Sequence, residues 1–85
     1  MNKKCLIIGS NSFSGSNFID FLLKNNFEVF GVSRSKEINN VFLPYFKSAN
    51  FKKFKFFQLN LNNNLNEITK LIIDNKIPYI VNFAA

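Results

Sequence analysis

Eighty-five residues suffice for one small domain, and 47% hydrophobic against 19% charged residues is a globular composition, not a disordered one. The formal charge of +6 points to an anionic partner, although outside Lys52, Lys53 and Lys55 the basic residues are spread along the chain. Histidine is absent, which excludes a Ser-His-Asp or Cys-His centre, and the single cysteine excludes an internal disulfide or a cysteine-built zinc site.

One cysteine suits a reducing cytoplasm, the expected location. Cys5 lies in an apolar run and reads as a small buried hydrophobe. No apolar stretch is long enough to span a bilayer, so no membrane partner is expected. Lys3 and Lys4 precede an apolar segment as in a secretion signal, but that segment lasts only from Cys5 to Ile8. The abundance of Asn, Lys, Ile and Phe fits an A+T-rich coding sequence as well as any function.

In chain order, Cys5-Leu6-Ile7-Ile8 is a continuous apolar run closed by Gly9, the pattern of a strand buried on both faces. Ser10 to Ser14 is expected as a polar loop. Gly15, Phe18, Ile19, Leu22 and Leu23 then recur at helical spacing, and Asn25-Asn26 supplies a stop because Asn tolerates the left-handed conformation. Phe27 to Ser33 reads as a second strand. Residues 36–50 are expected to be irregular with one short helix, since Pro44 opposes a long one. Phe54 to Leu59 reads as a third strand. A second amphipathic helix is expected over Asn64 to Asp74, with Leu65, Ile68, Leu71 and Ile72 inward and Asn64 and Glu67 in a capping box. Tyr79 to Phe83 is the last strand. Short buried strands alternating with helices predict an α/β fold with a parallel sheet, its ligand at the carboxyl ends of the strands.

Gly9-Ser10-Asn11-Ser12-Phe13-Ser14-Gly15 sits where phosphate chemistry needs it, between a buried strand and a helix start. Gly9 allows the sharp turn, Gly15 allows close helix packing, and backbone N–H groups at the helix start face an anion. Ser10, Ser12 and Ser14 add hydroxyl donors. A Walker-type loop is excluded, because the second glycine is wrongly spaced and no Gly-Lys-Ser/Thr follows. On glycines alone, a βα turn without any ligand remains the competing reading.

The run Ile7 to Ser16 resembles the opening motif of the extended short-chain dehydrogenase/reductase family, which includes sugar-nucleotide epimerases and dehydratases. That motif usually reads Thr-Gly-x-x-Gly-x-x-Gly. Gly9 and Gly15 match its outer glycines, Ile8 replaces the Thr, and Ser12 stands at the middle glycine, where a side chain now needs room beside the diphosphate. Val29 to Arg34 resembles the family's second strand, whose end meets the adenosine ribose. Gln58-Leu59-Asn60-Leu61 resembles the Gly-Asp-Leu/Val segment whose Asp receives the adenine amino group, a bond the Asn60 carbonyl can still accept. Ile80-Val81-Asn82-Phe83-Ala84-Ala85 resembles the Val-x-His-x-Ala-Ala ending where the backbone passes the cofactor, with Asn82 in place of His.

The resemblance implies the N-terminal half of a Rossmann-type, doubly wound parallel sheet, incomplete here, with strand order 3-2-1-4. Residues 1–85 would then be the N-terminal part of an NAD(P)-binding domain, without the catalytic remainder or the substrate domain. It implies a dinucleotide cofactor held by Gly9 to Gly15, Ser33, Arg34, Asn60, Leu61, Phe83, Ala84 and Ala85, a nucleotide-sugar substrate for the parent enzyme, and room for a homodimer. Ser33 and Arg34, with Lys36 nearby and no carboxylate in the turn, favour NADP over NAD.

Neither Tyr45 nor Tyr79 has a Lys four residues later, so the family's catalytic Tyr-x-x-x-Lys pair is not matched and no catalytic residue is expected. The 85-residue chain alone is expected to be inactive. A non-catalytic NADP-binding sensor, which shares the opening motif, is the alternative. Phe51 to Phe57 interleaves basic and aromatic residues as single-strand nucleic-acid binders do. One such cluster is better read as the start of a strand with solvated lysines, so nucleic acid is not an expected partner. Asp20, Glu28, Glu37, Glu67 and Asp74 are scattered and read as surface charges.

Overall fold

A computed structural model of the chain describes residues 3–35 and 50–84. The expected short helix within 36–50, together with Lys36, Glu37, Pro44 and Tyr45, lies outside them. Four strands and two α-helices follow one another as β1 (Lys4–Ile8), α1 (Phe13–Lys24), β2 (Glu28–Ser33), β3 (Phe54–Gln58), α2 (Leu65–Asn75) and β4 (Tyr79–Asn82). A single 3₁₀ turn, Phe51–Lys53, leads into β3. The strands form one sheet in the order β3-β2-β1-β4, every pair parallel, as the sequence predicts.

Alternation along each strand decides which side chains meet which helix. Cys5 and Ile7 of β1, Val29 of β2 and Phe54 of β3 face α1 and join Ile19, Leu22 and Leu23 in one buried cluster. Leu6, Phe30 and Val32 point the other way and join Ile68 of α2 and Ile77 in a second. Leu6, Ile7, Ile19, Leu23 and Val29 are wholly shielded from solvent. Each such side chain contributes roughly 1.5–3 kcal/mol of transfer free energy. The continuous apolar run of β1 is thus explained by its central place, with a helix over each face.

The helices end on left-handed residues. Asn26, at φ 65°, closes the α1 segment as expected, and Lys76, at φ 52°, closes α2 with its N–H on the carbonyls of Ile72 and Ile73. At the start of α2 the expected capping pair meets differently. Asn64 spends its side-chain oxygen on the N–H of Asn60 (2.8 Å) and donates its amide to Glu67 Oε2 (2.5 Å), so neither side chain caps the helix backbone. Leu65, expected inward, is 58% exposed, because the apolar stripe of α2 meets the sheet only from Ile68 onward.

Burial pushes the Cys5 thiol up to about 11 from its ordinary 9.0. The folded state therefore holds this proton more tightly than the unfolded chain. The resulting stability is complete below pH 9 and is lost as pH rises toward 11, by up to about 1.4 kcal/mol per pH unit. Denaturant melts of Cys5→Ala and the parent should converge across that window. Parallel curves from pH 8 to 11 would contradict it.

β4 is an edge strand, and its Tyr79 and Ile80 are 48% and 50% exposed. With Leu65 and Ile73 of α2 also exposed, the molecule carries apolar area that water does not solvate well. The 85-residue chain by itself is expected to bind a hydrophobic dye such as anilinonaphthalene sulfonate and to aggregate at micromolar concentration. A monodisperse monomer with a sharp melt and no dye signal would refute this. Among the described residues, no helix is long and apolar enough to cross a membrane.

Candidate functional site

The loop after β1 is built around two close backbone approaches. Gly9 takes φ +82°, and a Cβ placed there would lie 2.8 Å from the Ala84 nitrogen and 2.9 Å from the Phe83 carbonyl carbon. Its N–H donates to the Val32 carbonyl (2.8 Å), while Phe83 N–H donates to Ile8 (2.7 Å). The chain thus leaves β1 through a slot between the ends of β2 and β4 that admits no side chain. A Cβ on Gly15 would press on the Gly9 carbonyl oxygen, so Gly15 lets α1 close against the loop.

α1 begins at Phe13, two residues before the expected start, because Ser12 caps it. Ser12 has extended dihedrals, accepts from Gly15 N–H (3.0 Å) and donates its hydroxyl to the Gly9 carbonyl (2.7 Å). A cap of this kind is worth about 1 kcal/mol. The serine at the family's middle-glycine position thereby turns its hydroxyl under the loop. Gly15 N–H is committed to it, but the N–H groups of Phe13 and Ser14 have no acceptor among the described residues. Two donors remain at the positive end of a 12-residue helix.

Beside them lies a cleft of about 450 Å³ at the carboxyl ends of the strands. Of the fourteen predicted site residues, it brings together nine: Gly9, Asn11, Ser12, Ser33, Arg34, Asn60, Leu61, Phe83 and Ala84. Phe13, Ser14 and Gly15 form the helix start outside that lining, and Ala85 lies outside the described residues. Ser10 departs most from expectation. Its side chain is fully buried toward Gly31, and its hydroxyl has no hydrogen-bond partner among the described residues and does not line the cleft.

Short polar links hold the walls. Asn11 donates to the Ser35 carbonyl (3.1 Å), Ser33 and Ser35 hydroxyls lie 3.4 Å apart, and Gln58 donates to the Arg34 carbonyl (3.3 Å). The turn after β2 is therefore tied both to the glycine loop and to β3. Asn60 accepts from Asn62 N–H through its side-chain oxygen (2.8 Å), which leaves one lone pair on that carbonyl. Asn82, standing where the family has His, accepts from Ala84 N–H (2.8 Å) and shapes the bend after β4.

Ser35 and Asn62 also line the cleft, although neither was singled out from sequence. Ser35 repeats the hydroxyl of Ser33 at a spacing of two, the signal that would have found it. Arg34 is the one charged side chain among the described lining residues, and no carboxylate faces it there. One guanidinium, a helix N-terminus and a backbone slot make this end of the sheet receptive to an extended anion. Among the described residues no three potential metal ligands gather.

Residues 6–85 match the family described as GDP-mannose 4,6 dehydratase. Among solved structures, a variant of ElxO with NADPH bound is similar at 28% identity and a TM-score of 0.79, over 100% of this chain and 36% of that one. A UDP-Glc/GlcNAc 4-epimerase from Campylobacter jejuni is similar at 26% identity and a TM-score of 0.76, over 98% and 24%. The dTDP-glucose 4,6-dehydratase of Bacillus anthracis in complex with NAD shares the fold, with a TM-score of 0.77 at 21% identity, over 96% and 26%. The chain therefore spans about a quarter to a third of the length of these structures. None of the curated proteins matches the sequence.

Proposed function

The chain belongs to the GDP-mannose 4,6 dehydratase family, and from that premise we propose that its carboxyl-end cleft holds an NAD(P) dinucleotide for a parent enzyme acting on a nucleotide sugar. The observation that carries this reading is the Gly9 slot. Only a residue without Cβ fits there, and the turn it permits leads through Ser12, which lines the cleft, into a helix start where the N–H groups of Phe13 and Ser14 have no acceptor among the described residues. Those two groups would hold the diphosphate. Ser33 and Arg34 would meet the adenosine ribose, Asn60 and Leu61 the adenine, and the backbone of Phe83 and Ala84 would flank the far half of the dinucleotide, with Ala85 beyond them.

When bound, the dinucleotide supplies hydride acceptance and return at a sugar carbon. The chain's own part is binding and orientation. Arg34 and the helix end draw the anionic cofactor in, while the Asn11–Ser35 and Gln58–Arg34 links keep the ribose wall in place. The described residues present no Tyr-x-x-x-Lys pair, so proton transfer is assigned to a further part of the parent, as is the nucleotide-sugar site.

Calorimetric titration with NADP and NAD, run beside a turnover assay, tests the reading. We expect micromolar dinucleotide binding by the full-length protein and no epimerase, dehydratase or reductase turnover by the pure 85-residue chain. Turnover by that chain would contradict the division of labour, and full-length protein indifferent to both dinucleotides would overturn the cofactor site itself.

A further inference from the structure

At the opposite pole of the sheet, the amino ends of the strands frame a second cleft of about 410 Å³, lined by Lys3, Lys4, Lys52, Lys53 and Lys55 with Asn26 and Glu28. Five ammonium groups face one carboxylate, so the lining carries a formal +4. The fold accounts for part of this charge. In a parallel α/β unit both helices end at this pole, and Lys3 reaches the carbonyl of Asn25 (3.4 Å) while Lys4 reaches that of Asn75 (3.0 Å). Two helix ends return only about −1 between them, which leaves the cleft near +3.

The excess sits on Lys52 and Lys53. Lys55 stands 3.7 Å from Glu28, whereas the side chains of Lys52 and Lys53 make no hydrogen bond or ion pair among the described residues. Both are delivered by the 3₁₀ turn before β3 and remain exposed. Holding like charges together without a counter-charge costs energy, and a multivalent anion would recover it.

We propose that this amino-end cleft is a second binding site, separate from the dinucleotide cleft, for a small oligophosphate anion. The volume suits a compact ligand of a few phosphate groups. A single-stranded nucleic acid would need aromatic faces in series. Here Phe54 is buried, Phe56 and Phe57 are half-buried, and Phe51, at 37% exposure, already stacks on Phe54.

The proposal does not depend on the dinucleotide reading, and the experiment separates the two. Tripolyphosphate is titrated calorimetrically into the full-length protein in 0.15 M NaCl, and again into Lys52→Ala/Lys53→Ala and Arg34→Ala variants. The expected result is binding that weakens at least tenfold in the double lysine variant, with an unchanged melting temperature, and that stays within twofold in Arg34→Ala. Loss in Arg34→Ala instead would place the anion in the carboxyl-end cleft and overturn the proposal. So would the absence of binding at this salt, which would leave the lysines a solvated face. Tighter binding of a dodecamer oligonucleotide than of tripolyphosphate, lost in the same double variant, would assign the pole to nucleic acid and likewise overturn it.

Discussion

Replacing Gly9 by alanine is expected to destabilise the protein by about 3 kcal/mol and to abolish dinucleotide binding. Two costs combine. The left-handed conformation at φ +82° is disfavoured for any L residue by roughly 1–2 kcal/mol. The added methyl would also lie 2.8 Å from the Ala84 nitrogen and 2.9 Å from the Phe83 carbonyl carbon, and these are backbone atoms that no rotamer change can move aside. Either the loop or the end of β4 must shift, and both are walls of the cleft. A small domain loses roughly 4–8 °C of melting temperature per kcal/mol, so the change should be plain in a thermal scan. Gly31→Ala is the instructive comparison, because its Cβ would meet the tip of the Phe54 ring and the Ser10 Cβ instead of backbone. A Gly9→Ala protein within 1 kcal/mol of its parent, with unchanged cofactor affinity, would show that the slot is not a constraint.

The second large effect concerns cofactor choice. Arg34→Ala in the full-length protein is expected to weaken NADP about 10- to 100-fold while altering NAD binding little. An enzyme selecting NAD usually places a carboxylate at the end of the second strand, where it accepts from the ribose hydroxyls and repels a 2′-phosphate. The described lining of this cleft holds no carboxylate, and Arg34 is its one charge. A guanidinium presents a planar fork to phosphate, and a charge-assisted contact of this kind is worth about 1.5–3 kcal/mol. The Gln58 bond to the Arg34 carbonyl and the Asn11 bond to Ser35 limit how far the turn can swing. The competing role for Arg34 is stacking on adenine, which both cofactors share. If NAD binds as tightly as NADP and the substitution weakens both alike, Arg34 does not read the 2′-phosphate.

Much of this was legible in the sequence because burial writes itself plainly on central strands. Cys5 to Ile8 had to be apolar on both faces once helices covered each side, and β2, buried without a break from Val29 to Val32, answers to the same demand. The left-handed stop at Asn26 could be read from residue chemistry alone. The start of α1 could not, since Ser10, Ser12 and Ser14 are all competent caps and only the meeting of Ser12 with Gly9 and Gly15 selects one. For the same reason the burial of Ser10 was illegible, because a hydroxyl in a phosphate-type loop reads as a donor until its direction is known. At α2 the choice of Asn64 partner was hidden by an Asn-rich turn in which several amides compete for the same N–H groups.

The place of β1 in the middle of the sheet has a consequence for how the protein is made. β1 finds one neighbour nearby in sequence, β2, but its other neighbour is β4, and Cys5 pairs with Tyr79 across 74 positions of sequence. Such long-range closure is slow, since loop entropy must be surrendered before the pairing repays it. Until β4 arrives, one flank of β1 has open backbone groups and the nascent chain exposes an apolar strand edge to its surroundings. Because Ala84 and Phe83 complete the slot around Gly9, the carboxyl-end cleft cannot be complete before β4 has docked. Intermediates that lack β4 therefore expose the open flank of β1, and a ligand of this cleft can stabilise the fold only once β4 is in place.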